Sequence, residues 1–293
     1  MKQDNPPAQK CSVCGYALQP LHPEAPGQWQ RCSRKLCGHI QREPIATDSS
    51  DSPLFTDVAP APAANSLWGK IRGSFENKTQ SASKDRELWE RLYLPETPGK
   101  LLELGAGDPS AILNLTRLGW QQIEAWHLCP QAPQEWQEKG VSLKSGEPDL
   151  SSYPAESFDA VVLRWALEQS PEPLTLLKNA WRLLKPSGRF VLIAWNSNSL
   201  GCELFAAQWL PFTIAPHRRL YSPGSLRQSL ALAKVQRKFA LFTSFAGQLP
   251  QSQPPQPETE TEALRQKALK QLEQDPLCGE ALVLVADKAQ TDD

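Results

Sequence analysis

The sequence predicts an α/β protein built on a doubly wound sheet, with a small metal-dependent module in front of it. Three observations carry that expectation. An apolar run in Lys100–Ser110 (KLLELGAGDPS) ends in an acid and a glycine-rich turn. Strand-like apolar runs then alternate with helical spacings as far as Trp195. Four of the seven cysteines fall within the first 37 residues.

Leu101, Leu102 and Leu104 read as one buried parallel strand, because a strand covered on both faces needs apolar residues almost without a break. Gly105 and Gly107 let the backbone turn sharply at its carboxyl end and let a ligand approach closer than a Cβ allows. Ile112, Leu115 and Leu118 have helical spacing, so the turn opens onto a helix N-terminus over Ser110–Leu118. Strand, glycine turn and helix together make a nucleotide pocket at the edge of an open α/β sheet.

The same alternation continues along the chain. Gly119 ends the first helix. Ile123–Leu128 reads as the second strand, Pro133–Glu138 as a short helix, Val141–Leu143 as the third strand and Phe158–Leu163 as the fourth. A helix over Pro171–Leu184 turns inward Leu174, Leu177, Ala180, Trp181 and Leu184. Lys185-Pro186-Ser187-Gly188 reads as a turn into a fifth strand, Arg189–Trp195. Strands alternating with helices imply parallel pairing with right-handed crossovers. A sixth strand is expected at about Val235–Phe242 and a helix over Glu262–Gln274. Cys129, Cys202 and Cys278 are scattered and read as inert.

The cysteines of the first segment form Cys11-x2-Cys14 and Cys32-x4-Cys37. Each pair can place two thiolates on one turn, and two such turns give a tetrahedral four-sulfur site for zinc. Apolar residues are too few here (Val13, Tyr16, Leu18, Leu21, Trp29, Ile40) for an independent core, so metal would supply much of the folding energy. The pattern resembles a zinc ribbon, although four residues separate the second pair, and His39 is an alternative fourth ligand to Cys37. Arg31, Arg34, Lys35 and Arg42 tilt the second knuckle basic, which reads as a solvated face or as a contact for a phosphate-rich partner such as RNA.

Composition excludes several classes. Over 293 residues the net charge is −1, so no global charge argues for nucleic acid or a membrane surface. No apolar run reaches the ~18–20 residues that a membrane span needs. The polar start MKQDNPPAQK lacks a signal peptide's apolar segment, so a cytoplasmic protein with reduced thiols is expected. The 27 prolines fall mostly in loops and linkers. The expected division is 1–45 as the zinc-ribbon module, 46–65 as a Ser/Asp/Pro/Ala linker, and 66–293 as the sheet domain. That domain opens with two helices within 66–93 and holds a mobile Gln/Pro/Glu-rich insert at about 247–261.

The order LLELGAG, SFDAVVL, ALEQSPEP and RLLKPSGRFVLIAWN resembles the class I S-adenosylmethionine-dependent methyltransferases. It looks most like the branch in which a zinc ribbon precedes a Rossmann-like methyltransferase domain. NSNSLGCELF, Trp209, Pro216-His217 and LYSPGSLRQSLALA extend the similarity, and GEALVLVADK looks like the family's last, antiparallel strand. The resemblance implies methyl transfer, with S-adenosylmethionine and zinc as cofactors. It places the methionine part of the cofactor against Glu103, Gly105, Ala106 and Gly107. The ribose falls near His127 and the adenine near Glu147, with Asp149 as a neighbouring alternative. Arg164 to Leu167 would face the methyl group. Candidate catalytic residues are His217, Arg164 and Trp165; Trp165 and Trp195 are equally readable as core or pocket wall. Asp159 fixes the entry of its strand. Pro109, His127 and Gln169 depart from the family's glycine, ribose acid and histidine. A lapsed enzyme acting as a scaffold through its ribbon is therefore the alternative to an active one, and an RNA modifier is a third reading. The acceptor, small molecule or macromolecule, is not legible.

Overall fold

In a computed structural model of the chain, the described residues are 9–23, 25, 28–42, 99–105, 115–116, 119–126, 141–144, 148–213, 217–235, 239–243, 263, 266–267, 270–271 and 273–290. The expected linker 46–65, the two helices within 66–93, the helix Pro133–Glu138 and the insert 247–261 lie outside them.

Seven strands form the main sheet. They are β4 (Lys100–Gly105), β5 (Gln122–Trp126), β6 (Val141–Lys144), β7 (Phe158–Arg164), β8 (Leu184–Trp195), β10 (Ala240–Thr243) and β11 (Ala281–Asp287), in the order β10-β11-β8-β7-β4-β5-β6. The pairs from β6 to β8 are parallel, and β11 runs antiparallel to β8 and to β10. From β4 the chain winds to one side through β5 and β6, then returns to β4's other side as β7. The carboxyl ends of β4 and β7 are therefore the switch point where open α/β sheets bind ligands.

The sequence explains these strands residue by residue. Leu101, Leu102 and Leu104 are fully buried, as are Val161, Val162 and Leu163 on β7. Helix α1 (Pro173–Leu183) starts on a proline whose missing N–H had no partner there, and it buries Leu177, Ala180 and Leu183. Gly119 ends the preceding helix in the left-handed conformation, its N–H donating to Thr116 O and that of Trp120 to Leu115 O. Asp159 fixes the start of the sheet: its carboxylate accepts the Lys100 N–H at 2.7 Å and the Lys185 ammonium at 2.9 Å.

Two elements differ from expectation. Residues 185–188 lie within β8 as an irregularity, not in a turn before it. Phe158 pairs with Leu184 and Ala160 with Arg189, so the extra residues bulge from the ladder. Val235 does not begin a strand but closes helix α2 (Pro223–Leu232). Lys234 takes the left-handed conformation that glycine usually supplies, and the Val235 N–H donates to Leu230 O at 3.0 Å.

A second sheet contains β1 (Leu18–Pro20), β2 (Trp29–Cys32), β3 (Ile40–Arg42) and β9 (Arg219–Leu220), in the order β1-β2-β3-β9. Its last strand comes from the far end of the chain, with Ile40 paired to Leu220 and Gln41 to Arg219. The cysteine-bearing module thus shares its sheet with the larger domain.

Backbone crowding at the switch point gives a direct test. A Cβ on Gly105 would overlap the Arg164 carbonyl, and Gly105 has a φ of +132°. Gly105→Ala should destabilise the protein by at least about 3 kcal/mol, read as a lowered denaturation midpoint with an unchanged slope.

Candidate active site

Among the described residues, the carboxyl ends of β4, β7 and β8 bring together Glu103, Gly105, Arg164, Trp165, Glu168 and Trp195. Glu103 is fully buried, and its Oε1 accepts from Arg164 Nε at 2.6 Å. This ion pair turns Arg164 toward the strand carrying the glycine turn. Trp165 follows with a φ of +55°, a backbone state that costs a bulky side chain energy. Its N–H donates to Ile193 O at 2.9 Å, and its indole stacks on Trp195 at 4.8 Å between centroids.

Glu168 was not singled out by sequence reasoning and ties β8 to the segment that leads into β9. Its Oε1 accepts the Trp195 N–H at 2.5 Å, and its backbone oxygen accepts the N–H groups of Arg218 and Arg219. Burial pushes its carboxyl up to about 8, outweighing the lowering effect of the Trp195 N–H. Its partner Trp195 lies 27 residues further along the chain, so no local motif marks it.

A cleft of about 160 Å³ opens beside Leu104 and Ala166, along Leu150, Ser151, Thr175 and Asn179. It is below the ~300 Å³ of a whole ligand pocket and fits one ring. The Asp149 carboxylate at its rim accepts from Ser151 N at 3.0 Å and Ser151 Oγ at 2.5 Å. Those bonds hold its pKa below the usual carboxylate value. Asp149 therefore caps the turn at its own segment. Ala106, Gly107, Pro109, His127 and Glu147 lie outside the described residues.

His217, expected in a polar loop, is 2% exposed. Its Nδ1 lies 3.1 Å from Pro211 O, which fixes the tautomer with a proton on that nitrogen, and its backbone oxygen accepts from Arg42 Nε at 2.5 Å. Burial pulls its pKa down to about 4, so the ring stays neutral. The residue locks the seam between β3 and the loop before β9.

That seam is extensive. Arg31 Nη2 donates to Ser197 O at 2.9 Å, Ser197 Oγ to Gly38 O at 2.8 Å, and Ser222 Oγ to Cys37 O. Trp29 and Ile40 share an apolar cluster with Trp195, Trp209, Phe212 and Leu220. Two of the four cations read as a basic face, Arg31 and Arg42, thus turn inward onto backbone carbonyls. At the module's other end the sulfurs of Cys11, Cys14, Cys32 and Cys37 all lie within 4.8 Å of one another. His39 stands apart from them, fully buried with its ring 5.0 Å from that of Tyr221.

With this geometry in view, comparison with known proteins gives the class. A family model described as a methyltransferase domain matches residues 79–233, more than half of the chain. The chain belongs to that family, the class I S-adenosylmethionine-dependent methyltransferases. It is 27% identical over 151 residues to a ubiquinone biosynthesis O-methyltransferase of Xanthomonas oryzae pv. oryzae, covering 47% of this chain and 62% of that protein. It is 25% identical over 156 residues to a tRNA 5-carboxymethoxyuridine methyltransferase of Escherichia coli, covering 50% of this chain and 58% of that protein. The chain therefore spans about six tenths of the length of these curated relatives. A solved S-adenosylmethionine-dependent methyltransferase from Archaeoglobus fulgidus aligns with a TM-score of 0.47 at 16% identity, covering 76% of this chain and 100% of that one. No described helix is long and apolar enough to cross a membrane.

The buried acid predicts a pH signature. An unfolded glutamate loses its proton near 4.5, whereas folded Glu168 keeps its proton to about 8. Its contribution to stability is therefore complete below 4.5 and falls as pH rises toward 8. Denaturant unfolding between pH 5 and pH 8 should show this decline in the native protein and a flatter profile in Glu168→Gln. Equal profiles would mean that Glu168 ionises normally in the folded state.

Proposed function

We propose that the protein transfers a methyl group from S-adenosylmethionine to a nucleophilic acceptor, and that its four cysteines hold one structural zinc ion. The carrying observation for the first part is the switch point: a left-handed glycine at the end of β4, flanked by the buried Glu103–Arg164 pair. The donor set fits the cofactor's amino-acid end, where Glu103 and Arg164 match a zwitterion in charge and Gly105 leaves room for close backbone approach. When bound, the cofactor supplies an electrophilic methyl group on a sulfonium centre. The chain's residues then bind and orient the reactants. Trp165 and Trp195 wall the acceptor side, and Glu168 holds that wall through the Trp195 N–H. His217, its proton committed to Pro211 O, is a wall residue and not the base in this reading. With Glu103, Gly105 and Arg164 holding the cofactor's amino-acid end, the acceptor would take up the methyl group and give up its proton to solvent.

For the metal, a tetrahedral site with Zn–S bonds near 2.3 Å places sulfurs about 3.8 Å apart. Cys11 and Cys37 lie at 3.8 Å and Cys14 and Cys32 at 3.4 Å, so little adjustment closes the site. The pKa of Cys11 is drawn down to about 5, chiefly by the hydrogen bond from Cys37, which favours a thiolate there. Because the ribbon is fused to β9 and to the aromatic cluster, it serves as a wall of the catalytic domain. Its inward-turned arginines weigh against an RNA-docking role.

The substituted positions Pro109, His127 and Gln169 support a second reading, a fold retained for binding alone; the Gln169 Oε1 is buried without a hydrogen-bond partner among the described residues. Calorimetric titration with S-adenosylmethionine and S-adenosylhomocysteine separates the two. Methyl transfer requires binding in the micromolar range, about −8 kcal/mol. No heat at millimolar cofactor would leave only the second reading.

Metal analysis should find about one zinc per chain. Stripping the metal should lower the melting temperature of the whole protein in one transition, and Cys14→Ser should do the same. A separate early transition that spares the main unfolding step would show that the ribbon is an independent appendage.

A further inference from the structure

The acceptor side of the switch point is built from indole rings, and their arrangement bears on what it accepts. Trp165 and Trp195 stack with an interplanar angle of 29°. Behind them Trp209 meets Trp195 edge-on at 6.0 Å, Phe212 meets Trp209 edge-on at 5.3 Å, and Trp29 of the ribbon reaches Phe212 at 5.2 Å. Trp195 and Trp209 are buried, while Trp165 is half-buried at the end of β7. The stack is thus anchored at its inner end and reaches the switch point at its outer one. The backbone that carries this outer ring is held at positive φ.

The neighbours of the pair narrow the ligand class. The apolar cluster around it contains Ile40, Cys202, Phe212 and Leu220, with Phe205 beside them. Among the described residues the nearby guanidinium groups are committed elsewhere: Arg31 to Ser197 O, Arg42 to His217 O, and Arg164 to Glu103 and, in the methyl-transfer reading, to the cofactor's amino-acid end. A sugar lying on an indole presents hydroxyls around its rim and needs polar partners there. A phosphate or carboxylate needs an available cation. A flat, uncharged ring needs only an aromatic face and an apolar border.

We propose that Trp165, backed by Trp195, is the platform on which a planar, uncharged ring of the methyl acceptor stacks, so that the acceptor is a phenol or a heteroaromatic ring. This rests on the methyl-transfer reading for the word acceptor, while the stacking itself does not. Such a ring could belong to a free phenol or to a nucleobase, which share the chemistry the platform recognises.

The test titrates the intact, metal-loaded protein with catechol, uridine and methyl glucoside, each with and without S-adenosylhomocysteine, followed by saturation-transfer NMR. Saturable binding of catechol identifies the small-molecule source and that of uridine the nucleobase source. In either case Trp165→Phe should retain affinity, and Trp165→Ala should lose about tenfold, the value of one stacking contact. Trp165→Leu, which keeps apolar bulk without a π face, should lose about the same and serves if the alanine variant does not fold. Failure of both ring probes overturns the proposal. So does binding unchanged in the alanine or leucine variant, or binding of the glucoside alone. S-adenosylhomocysteine affinity is measured separately in the native protein. Its absence in the native protein would remove the methyl-transfer reading but leave the ring-binding result to stand or fall alone.

Discussion

The structure depends on how closely β4 and β7 approach at their carboxyl ends. There the Gly105 backbone lies against the Arg164 carbonyl, leaving no room for a Cβ, while Glu103 and Arg164 close an ion pair that is almost wholly buried. A buried charge without its partner is costly, so each residue requires the other. The pair sets the spacing of two adjacent strands at the point where the winding of the sheet reverses. Gly105 ends β4 on one side of that junction, and Trp165 with the segment to Glu168 follows β7 on the other.

From Trp165 the constraint passes outward through rings and backbone bonds. Glu168 clamps the Trp195 backbone and receives the N–H groups of Arg218 and Arg219. Those residues lead into β9, which is the fourth strand of the ribbon's sheet. The path from the carboxyl ends of β4 and β7 to the cysteine cluster therefore runs through hydrogen bonds and aromatic contacts. The cysteine cluster at one end and the switch point at the other are thus joined by contacts of one network.

Much of this was legible in the sequence. Leu101–Leu104 and the FDAVVL run announced buried parallel strands because strands covered on both faces allow few polar residues. The two cysteine pairs announced that four sulfurs could meet, and the structure brings them within 4.8 Å of one another. What was not legible depends on contacts between distant segments. Nothing local in Ile40 or Leu220 shows that they pair. Arg31 and Arg42 look like surface charges until Ser197 O and His217 O are placed beside them. His217 reads as a loop histidine, yet the ribbon covers it. Residues 185–188 have turn chemistry, and a ladder bulge uses the same residue types. Glu168 looks like an ordinary acid in a polar stretch; only its burial beneath Trp195 changes its chemistry.

The most direct test of the account is a crystal structure of the protein with S-adenosylhomocysteine. The account predicts its sulfur over the Gly105 turn, its amino-acid end beside Glu103 and Arg164, and its sulfur pointing toward the face of Trp165. A homocysteine sulfur bound away from Gly105, or on the opposite side of the β4–β7 junction from Trp165, would contradict it.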